Sequence, residues 1–390
     1  MSIPFIDLKT QYSRVAGNVE QGLRAVLESG AFINGPDVVR LEKRLAEYCG
    51  TRYAVGCASG TDALMMALMA LGVGPGDAVF CPPFTFMATA EVVALLGATP
   101  VFVDIDSKTY NIDPAQLETA IRAVEADDAK LYPLPKHAGK LTPKAVIPVD
   151  LFGLLADYPE LLSVAAKHGL YVIEDAAQAF GATMELGGTT RRACSFGQIA
   201  CTSFFPAKPL GCYGDGGMCF TDDEKLLELL QSVRVHGQGT DKYQNVRLGI
   251  TGRLDTMQAA ILMAKMDIFE DEVLLRQGVA ARYAELLAAI PGLTLPSAPA
   301  GHLSVYAQYS IQAESTAHRT QLLEKLAKAG VPTSIYYPVP LHLQPAYANL
   351  AYAVGAMPVS EAVAGRIFSI PMHPYLTAEV QAEIAKGLAG

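Results

Sequence analysis

The sequence predicts an α/β protein in which a large domain with a mostly parallel sheet precedes a smaller α+β domain. At 390 residues the chain exceeds what one ordinary hydrophobic core supports, so we expect two domains. Through the first two-thirds, short apolar runs bounded by Gly, Pro or Asp alternate with helical periodicity, as in parallel sheets covered by helices. A proline-free helical pattern from Leu254 to Ile290 indicates a connecting helix. We therefore predict domains of residues 1–265 and 266–390.

Seven apolar runs are predicted to form the sheet of the large domain, and three periodic segments to form helices between them. In the last part of the chain we expect a strand at Ala307–Gln312 and a helix at Thr320–Ala329. The polar, proline-containing stretch Ala123–Pro143 is predicted to be a surface excursion. The predicted strands are Tyr53–Cys57, Ala78–Cys81, Thr99–Val103, Ala145–Val149, Tyr171–Glu174, Ile199–Phe204 and Met218–Thr221, and the helices are Thr61–Leu71, Ala88–Leu96 and Tyr158–His168.

The composition is that of a globular enzyme and argues against several kinds of partner. A net charge of −9 disfavours nucleic-acid binding, because that binding depends on releasing phosphate counterions to Lys and Arg. The N-terminal segment has neither a basic stretch nor a long apolar core, and the longest apolar helical run, Leu64–Leu71, is too short to span a bilayer. The cysteines include no C-x-x-C pair and the histidines no H-E-x-x-H pair, so we predict no metal site. These features predict a cytoplasmic protein with no membrane or nucleic-acid partner.

Lys208 is the residue whose surroundings point most directly to chemistry. It stands in the apolar run Ser203–Leu210 and is followed by glycines that let the backbone approach a ligand closely. Desolvation disfavours an ammonium ion, so such a lysine keeps some free amine near neutral pH and can attack an aldehyde such as that of pyridoxal 5′-phosphate (PLP). The alternative is a solvated surface lysine, which is the commoner role for a lysine near glycines.

Asp175 follows a predicted buried strand, and in such sheets ligands gather beyond the carboxyl ends of the strands. A carboxylate beside the pyridine nitrogen of PLP favours the protonated ring, which accepts electrons from the substrate. We therefore predict Asp175 and Lys208 as the catalytic residues. Strand alternation directs Glu174 to the opposite face, and the alternative for Asp175 is a carboxylate that caps the next helix.

A phosphate group requires backbone N–H donors and hydroxyls, which the N-terminus of a helix supplies. Gly60, Thr61 and Asp62 follow the strand Tyr53–Cys57 and open the next predicted helix, so we expect their amides to bind the phosphate. Ser203, near the end of a later predicted strand, offers a further hydroxyl. An ordinary helix N-cap is the alternative interpretation of the same turn.

Two more side chains are predicted to hold the cofactor ring. An aromatic face fixes the plane of the pyridine by stacking, and Phe86 is our prediction for it. Gln178 is predicted to donate a hydrogen bond to the phenolic oxygen of the ring. The alternatives are that Phe84 or Phe86 fills the core and that Gln178 is a polar surface residue. The run Gly211–Gly217 lacks the spacing G-x-G-x-x-G, so we interpret it as backbone flexibility near the lysine.

With these residues in this order, the chain resembles the PLP-dependent nucleotide-sugar aminotransferases of the DegT/DnrJ/EryC1/StrS family, which have fold type I. The resemblance covers nearly the whole chain. Within the family it is most similar to the members that act on UDP-2-acetamido-2-deoxy-3-oxo-D-glucuronate and make a 3-amino sugar of bacterial surface polysaccharides. The matching motifs are Pro4–Leu8, Gly35-Pro36, Ala58–Ala63, Phe84–Phe86, Glu174–Gln178, Ser203–Gly217, Arg253–Asp255, Gln258–Ala260 and Pro371–Pro374.

The resemblance implies an enzyme that moves an amino group from L-glutamate to a UDP-linked keto-sugar, with PLP as cofactor. It also implies a homodimer with active sites at the interface, where Arg253 of each chain reaches the neighbouring site and binds the sugar nucleotide. Thr251 stands where the family usually has an asparagine that contacts the phosphate across the interface. Tyr336-Tyr337-Pro338 stands where relatives often have His-Tyr-Pro, so Tyr336 and Tyr337 are predicted substrate contacts in an altered sugar pocket.

Other functions are compatible with parts of this pattern. The acceptor could instead be a 3-keto or 4-keto 6-deoxyhexose linked to dTDP or UDP. A PLP-dependent sugar dehydratase shares the fold, but relatives of that kind replace the lysine with histidine, whereas this chain has Lys208. A PLP-binding regulator and an enzyme that uses its lysine without a cofactor are further alternatives. Conversion of bound PLP to pyridoxamine phosphate by glutamate would distinguish a transaminase from both.

Overall fold

The computed structural model describes residues 3–241 and 243–389. Met1, Ser2, Lys242 and Gly390 therefore lie outside the described residues, as do the outermost ends of the two predicted domains. Within the described ranges, no helix combines the length and the apolar character needed to cross a bilayer.

A seven-stranded mixed sheet forms the centre of the large α/β unit. Its strand order is β1-β9-β8-β5-β4-β2-β3, with β9 antiparallel to both of its neighbours and the other adjacent pairs parallel. The seven predicted strands are the seven strands of this sheet, so the predicted fold class is confirmed. The strands are β1 (Tyr53–Cys57), β2 (Asp77–Cys81), β3 (Thr99–Phe102), β4 (Thr142–Val146), β5 (Tyr171–Asp175), β8 (Ile199–Ser203) and β9 (Gly217–Thr221), with the hairpin β6 (Thr183–Leu186) and β7 (Thr189–Arg192) inserted between β5 and β8.

Helices cover the sheet, and local sequence explains where they begin and end. Asp157 caps α6 by accepting a hydrogen bond from Glu160 N, and Gly169 ends that helix with a positive φ of 66° that suits glycine. Ser59 caps α3 in the same way by accepting from Asp62 N. The described helices are α1 (Leu8–Ser29), α2 (Pro36–Cys49), α3 (Gly60–Ala70), α4 (Ala88–Leu95), α5 (Pro114–Ala126), α6 (Tyr158–His168), α7 (Glu224–Val233), α8 (Thr256–Met266), α9 (Phe269–Leu287), α10 (Thr316–Lys328), α11 (Pro358–Arg366) and α12 (Ala378–Ala389).

A second hydrophobic core lies in the last part of the chain. There β10 (Leu293–Thr294), β12 (Tyr309–Ala313) and β13 (Ile367–Ile370) form a three-stranded antiparallel sheet, which packs with α9, α10 and α12. The short β11 (His302–Leu303) instead pairs with β6. Residues 341–357 contribute side chains to the first core. The predicted boundary between residues 265 and 266 stays a prediction.

Three local predictions were wrong in detail. The helical pattern from Leu254 to Ile290 forms two helices, α8 and α9, because the chain turns at Asp267 and Ile268. The strand predicted at Ala145–Val149 begins earlier, at the start of β4, and its end contributes only an isolated bridge to β5. The stretch Ala123–Pro143 is not wholly a surface excursion, since its ends belong to α5 and β4 and its middle buries Tyr132.

Asp104 connects the end of β3 to a helix that comes much later in the chain. Its carboxylate accepts hydrogen bonds from Val359 N at 2.8 Å and from Ser360 N at 2.9 Å, and it also accepts from the Ser360 hydroxyl. These amides belong to the first turn of α11, whose own N-cap residue, Met357, makes no capping hydrogen bond with its side chain. The buried Asp104 therefore acts as the cap of α11 from a distance.

We expect Asp104→Ala to lower the free energy of unfolding by about 2–4 kcal/mol, because it removes a cap and leaves buried N–H groups without acceptors. Denaturation in urea measures this loss. Asp223→Ala is the matched control, since Asp223 caps the exposed start of α7 within its own helix and its removal should cost only about 1 kcal/mol. Equal losses in the two variants would contradict the long-range capping role.

Candidate active site

The candidate site is a cavity of about 840 Å³ at the carboxyl ends of the parallel strands. This edge is where ligands gather in α/β sheets, and the volume is that of a site for a cofactor with a substrate. Asp175, the last residue of β5, and Ser203, the last residue of β8, both line it. The N-terminal end of α3 and the start of α4 complete this side of the wall.

Lys208 lies in the loop between β8 and β9, and its half-buried side chain lines the cavity. Its backbone N–H donates to Phe205 O at 2.8 Å, which closes a tight turn around the lysine. Burial lowers the pKa of the Lys208 amine from its ordinary value of 10.5, and the negative charge of Asp175 opposes this shift. A larger fraction of the amine is therefore uncharged and nucleophilic than in a solvated lysine.

Asp175 is buried at the floor of the same cavity. One carboxylate oxygen accepts a hydrogen bond from the Thr89 hydroxyl at 2.9 Å, and the other accepts from Ala177 N at 3.2 Å. Burial raises the pKa of Asp175, whereas these two hydrogen bonds and the positive charge of Lys208 act in the opposite direction. The carboxyl group is thus oriented by two donors and electrostatically coupled to the lysine.

Glu174 lies on the other face of β5, as strand alternation predicts, and it does not line the cavity. Its carboxylate accepts hydrogen bonds from Cys194 N at 2.6 Å and Phe196 N at 2.7 Å. Burial raises the pKa of Glu174 to about 8. Burial and the neighbouring charge of Glu174 also raise the pKa of Asp150, which is fully buried. The two carboxyl groups form an internal pair, separate from the cavity.

The N-terminus of α3 reaches the cavity beside the end of β8. Gly60 and Thr61 line the cavity, and the first amides of a helix have no partner within the helix. A Cβ atom on Gly60 would lie 2.6 Å from the Cβ of Ser203, so glycine is needed for this close approach. The amide of Asp62 donates to the Ser59 hydroxyl instead, and the Asp62 side chain does not line the cavity. The turn therefore combines a helix cap with two residues of a helix N-terminus at the cavity wall, a position that favours an anion.

The aromatic residues of the turn after β2 separate into two roles. Phe84 is fully buried and packs against Tyr110, Phe152 and Tyr337. The side chain of Phe86 is 58% exposed and forms part of the cavity wall. Of the two, Phe86 is thus the one available to stack on a ring.

Gln178, Tyr336 and Tyr337 lie together along another part of the wall. The side-chain oxygen of Gln178 accepts from Phe152 N at 2.8 Å, and its amide group donates to the Tyr337 hydroxyl at 3.1 Å. A carboxamide group has two N–H donors, so one remains for a ligand. Burial raises the pKa of Tyr337, which keeps the phenol neutral.

Thr251 and Arg253 lie outside the cavity of their own chain. The Thr251 hydroxyl is 2.6 Å from Nε2 of His236, and Nε of Arg253 is buried without a hydrogen-bond partner. Their predicted contacts across a dimer interface stay predictions. Among the described residues that line the cavity, Lys208 carries the only positive charge, beside the carboxylates of Asp175 and Asp215.

Sequence reasoning missed two polar groups that line the cavity or bond to its residues. Thr89 lies on α4 and bonds to Asp175 only through the folded chain, so no local motif identifies it. Gln308 lines the cavity, and its side-chain oxygen is buried without a partner. A buried acceptor of this kind is costly unless a ligand or water satisfies it.

The groups present match the functional groups of PLP. The Lys208 amine suits the aldehyde of PLP, and the first amides of α3 suit its phosphate. The Asp175 carboxylate suits the pyridine nitrogen, and the Phe86 ring suits the face of the pyridine. The residues of the cavity therefore fit this cofactor. Among the residues with described positions, no group of three or more His, Cys, Asp or Glu side chains could hold a metal ion.

Comparisons with curated proteins give relatives over nearly the full length of the chain. A UDP-2-acetamido-2-deoxy-3-oxo-D-glucuronate aminotransferase of Pseudomonas aeruginosa is 47% identical over 374 residues, which cover 96% of each chain. A UDP-N-acetyl-3-dehydro-alpha-D-glucosamine 3-aminotransferase of Acidithiobacillus ferrooxidans is 42% identical over 387 residues, which cover 98% of this chain and 96% of the relative.

Solved structures agree with the fold. An aminotransferase from Brucella abortus is 47% identical and superposes with a TM-score of 0.92, covering 99% of this chain and 98% of its own. NtdA from Bacillus subtilis, solved with bound cofactor PMP, is 29% identical with a TM-score of 0.87, covering 99% of this chain and 84% of its own. The sequence profile described as the DegT/DnrJ/EryC1/StrS aminotransferase family matches residues 15–389. The chain therefore belongs to this family and is an aminotransferase with the fold of its PLP-dependent members.

Proposed function

We propose that the enzyme transfers an amino group from L-glutamate to UDP-2-acetamido-2-deoxy-3-oxo-D-glucuronate and so makes a 3-amino sugar for a bacterial surface polysaccharide. The cofactor is PLP. The observation that carries the proposal is the presence of the Lys208 amine, the Asp175 carboxylate and the α3 N-terminus in one cavity. The named activities of the relatives at 47% and 42% identity support a sugar nucleotide as acceptor.

When bound, PLP supplies an electron sink that stabilises negative charge at the carbon from which a proton is removed. Lys208 would hold the cofactor through its amine, and the same amine, when free, would move a proton at the Cα of the amino donor. Its lowered pKa suits this role, because a base acts best when its pKa lies nearer the working pH. The same amine would move a proton at the carbon of the keto-sugar that receives the amino group.

The carboxylate of Asp175 would favour the protonated form of the cofactor's pyridine nitrogen. Thr89 and Ala177 fix the direction of that carboxylate by their hydrogen bonds. Gly60 and Thr61 bind the phosphate with their amides and Ser203 with its hydroxyl, while Phe86 covers the ring. The free N–H of Gln178 donates to the phenolic oxygen. Asp62 has no direct role in this assignment, because its amide already donates to the Ser59 hydroxyl and its side chain lies outside the cavity.

The proposed acceptor carries more negative charge than the cations of this cavity can balance. A UDP-linked glucuronate carries a diphosphate and a carboxylate, whereas Lys208 is the only cation among the described lining residues. Arg253 has an unpartnered guanidinium nitrogen and suits bidentate binding of either group. We therefore assign Arg253 and Thr251 to the site of the other chain in a homodimer, with Tyr336 and Tyr337 as substrate contacts of the resident chain. The enzyme works in the cytoplasm, where nucleotide sugars are made.

Cofactor attachment to Lys208 should depend on pH in the direction set by its lowered pKa. Only the free amine reacts, so the rate at which PLP attaches to the cofactor-free enzyme should rise with pH and then level off. The pH at which this rate is half its maximum should lie below 10.5, the ordinary pKa of lysine. Stopped-flow absorbance across a pH series measures this midpoint. A midpoint at or above that of a lysine in a short peptide would contradict the buried, reactive amine.

The acceptor is tested by supplying L-glutamate with a panel of 3-keto and 4-keto sugars linked to UDP or dTDP, including 6-deoxyhexoses. We expect kcat/KM for UDP-2-acetamido-2-deoxy-3-oxo-D-glucuronate to exceed that for each 6-deoxyhexose by at least about tenfold, since a bound carboxylate contributes more than about 1.4 kcal/mol to discrimination. Mass spectrometry and NMR identify the amino product. A 6-deoxyhexose as the best substrate would replace the proposed acceptor and retain the aminotransferase activity.

A shared site predicts that two inactive variants restore each other. Lys208→Ala lacks the base and Arg253→Gln lacks the predicted cross-subunit cation, so each alone should lose about 100-fold or more in activity. After subunit exchange in an equal mixture, half of the dimers are mixed and one of their two sites is intact. Activity should therefore recover to about a quarter of the wild-type value. No recovery, with exchange verified by mass spectrometry, would place Arg253 in the site of its own chain.

A further inference from the structure

A second lysine, Lys265, lies outside the cavity but contacts the loop that carries Lys208. Lys265 stands on α8, is only 1% exposed and is among the largest fully buried side chains of the protein. Buried lysines are rare, because an ammonium ion loses its hydration inside a protein. Burial lowers the pKa of Lys265 to about 8, while the charge of Glu272 on α9 and the nearby Cys212 raise it.

The ammonium group of Lys265 has two partners, and both lie in the segment that follows Lys208. Its Nζ donates a hydrogen bond to Gly211 O at 2.5 Å. The same Nζ lies 4.3 Å from the centroid of the Tyr213 ring, within the range of a cation–π contact. The charge of Lys265 is therefore balanced by a carbonyl and a ring of the loop, and this face of α8 contacts the loop rather than solvent.

Gln258 makes a second contact from the same face of α8. It lies two helical turns before Lys265, so both side chains point the same way. Its side-chain oxygen accepts from Tyr213 N at 2.9 Å. A Cβ atom on Gly214 would lie 3.0 Å from the side-chain nitrogen of Gln258, so the loop and the helix are in close contact.

The loop of residues 204–216 is closed on itself and transmits this contact to Lys208. Cys212 N donates to Phe204 O at 2.8 Å, and Phe204 N donates to Gly216 O at 2.7 Å. A Cβ atom on Gly211 would lie 2.6 Å from both Phe205 O and Pro206 O. Lys265 thus bonds to the carbonyl of Gly211, which packs directly on the turn Phe205–Lys208. That turn is closed by the hydrogen bond from Lys208 N to Phe205 O.

We propose that Lys265 is a positioning residue, which holds the loop of residues 204–216 through Gly211 and Tyr213 so that the amine of Lys208 faces the cavity. The inference rests on the proposed function, in which Lys208 carries the cofactor. A purely stabilising role would not require a cation, because apolar residues of similar volume usually serve as well or better at such buried positions.

The test compares the full-length wild-type protein with Lys265→Met, which keeps the length and volume of the side chain and removes its charge. Hydrogen exchange of the cofactor-free protein, followed by mass spectrometry, reports the amides of Lys208 and Cys212 in the loop. We expect their exchange to rise at least about tenfold, with the amides of β12 unchanged, because a hydrogen bond to a charged donor is lost. The rate of covalent PLP attachment should fall by a similar factor. Lys167→Met, at an exposed lysine paired with Glu118, is the control and should change none of these.

The outcomes separate the two proposals. Loop exchange and PLP attachment equal to the wild type would overturn the positioning role, as would an equal rise in exchange over the whole protein together with a lower unfolding midpoint. If the wild-type protein attaches no PLP at Lys208, the proposed function fails, whereas the exchange experiment still decides whether Lys265 holds the loop. Should Lys265→Met not fold, Lys265→Gln, which keeps a neutral donor, takes its place and should show a smaller change in the same direction.

Discussion

The attraction between Lys208 and Asp175 in a cavity of low polarity is the interaction on which the candidate site depends. Burial favours the neutral form of both groups, because it lowers the pKa of the amine and raises that of the carboxyl. Each charge opposes the shift of the other, and the effect is stronger away from bulk water. The attraction between the two charges thus limits both shifts, while burial still leaves the pKa of the amine below its ordinary value.

The fold provides this arrangement by placing two consecutive carboxyl groups in different environments. Asp175 and Glu174 end the same strand, but alternation places them on opposite faces of the sheet. Glu174 is enclosed with Asp150, where burial raises the pKa of both groups. Asp175 instead meets a hydroxyl donor and a cation in the cavity. Burial raises the pKa of both neighbouring acids, but only Asp175 faces the cavity, where its charge interacts with that of Lys208.

Sequence periodicity predicts the sheet well because each buried strand is a continuous apolar run that ends in a turn residue. The hairpin of β6 and β7 was missed, although its two-residue turn, Gly187-Gly188, is a recognised hairpin signal. The break between α8 and α9 could not be predicted, since Asp267 and Ile268 are compatible with a continuing helix and tertiary packing decides the turn.

Within the cavity, the residues that the sequence predicts stand in local motifs, whereas the residues that it does not predict reach the cavity only through folding. Lys208 and the turn at Gly60 can be identified from their neighbours in the chain. Thr89 and Gln308 reach the cavity only through folding. The same limit applies to the half-buried Lys208 and the buried Lys265, whose pKa values are both lowered. Lys265 donates a hydrogen bond to a carbonyl and contacts an aromatic ring with its charge, so its nitrogen is held in place and not free to react. Lys208 Nζ makes no hydrogen bond within the described part of the chain and faces a cavity, so of the two lysines it is the one able to act as a nucleophile.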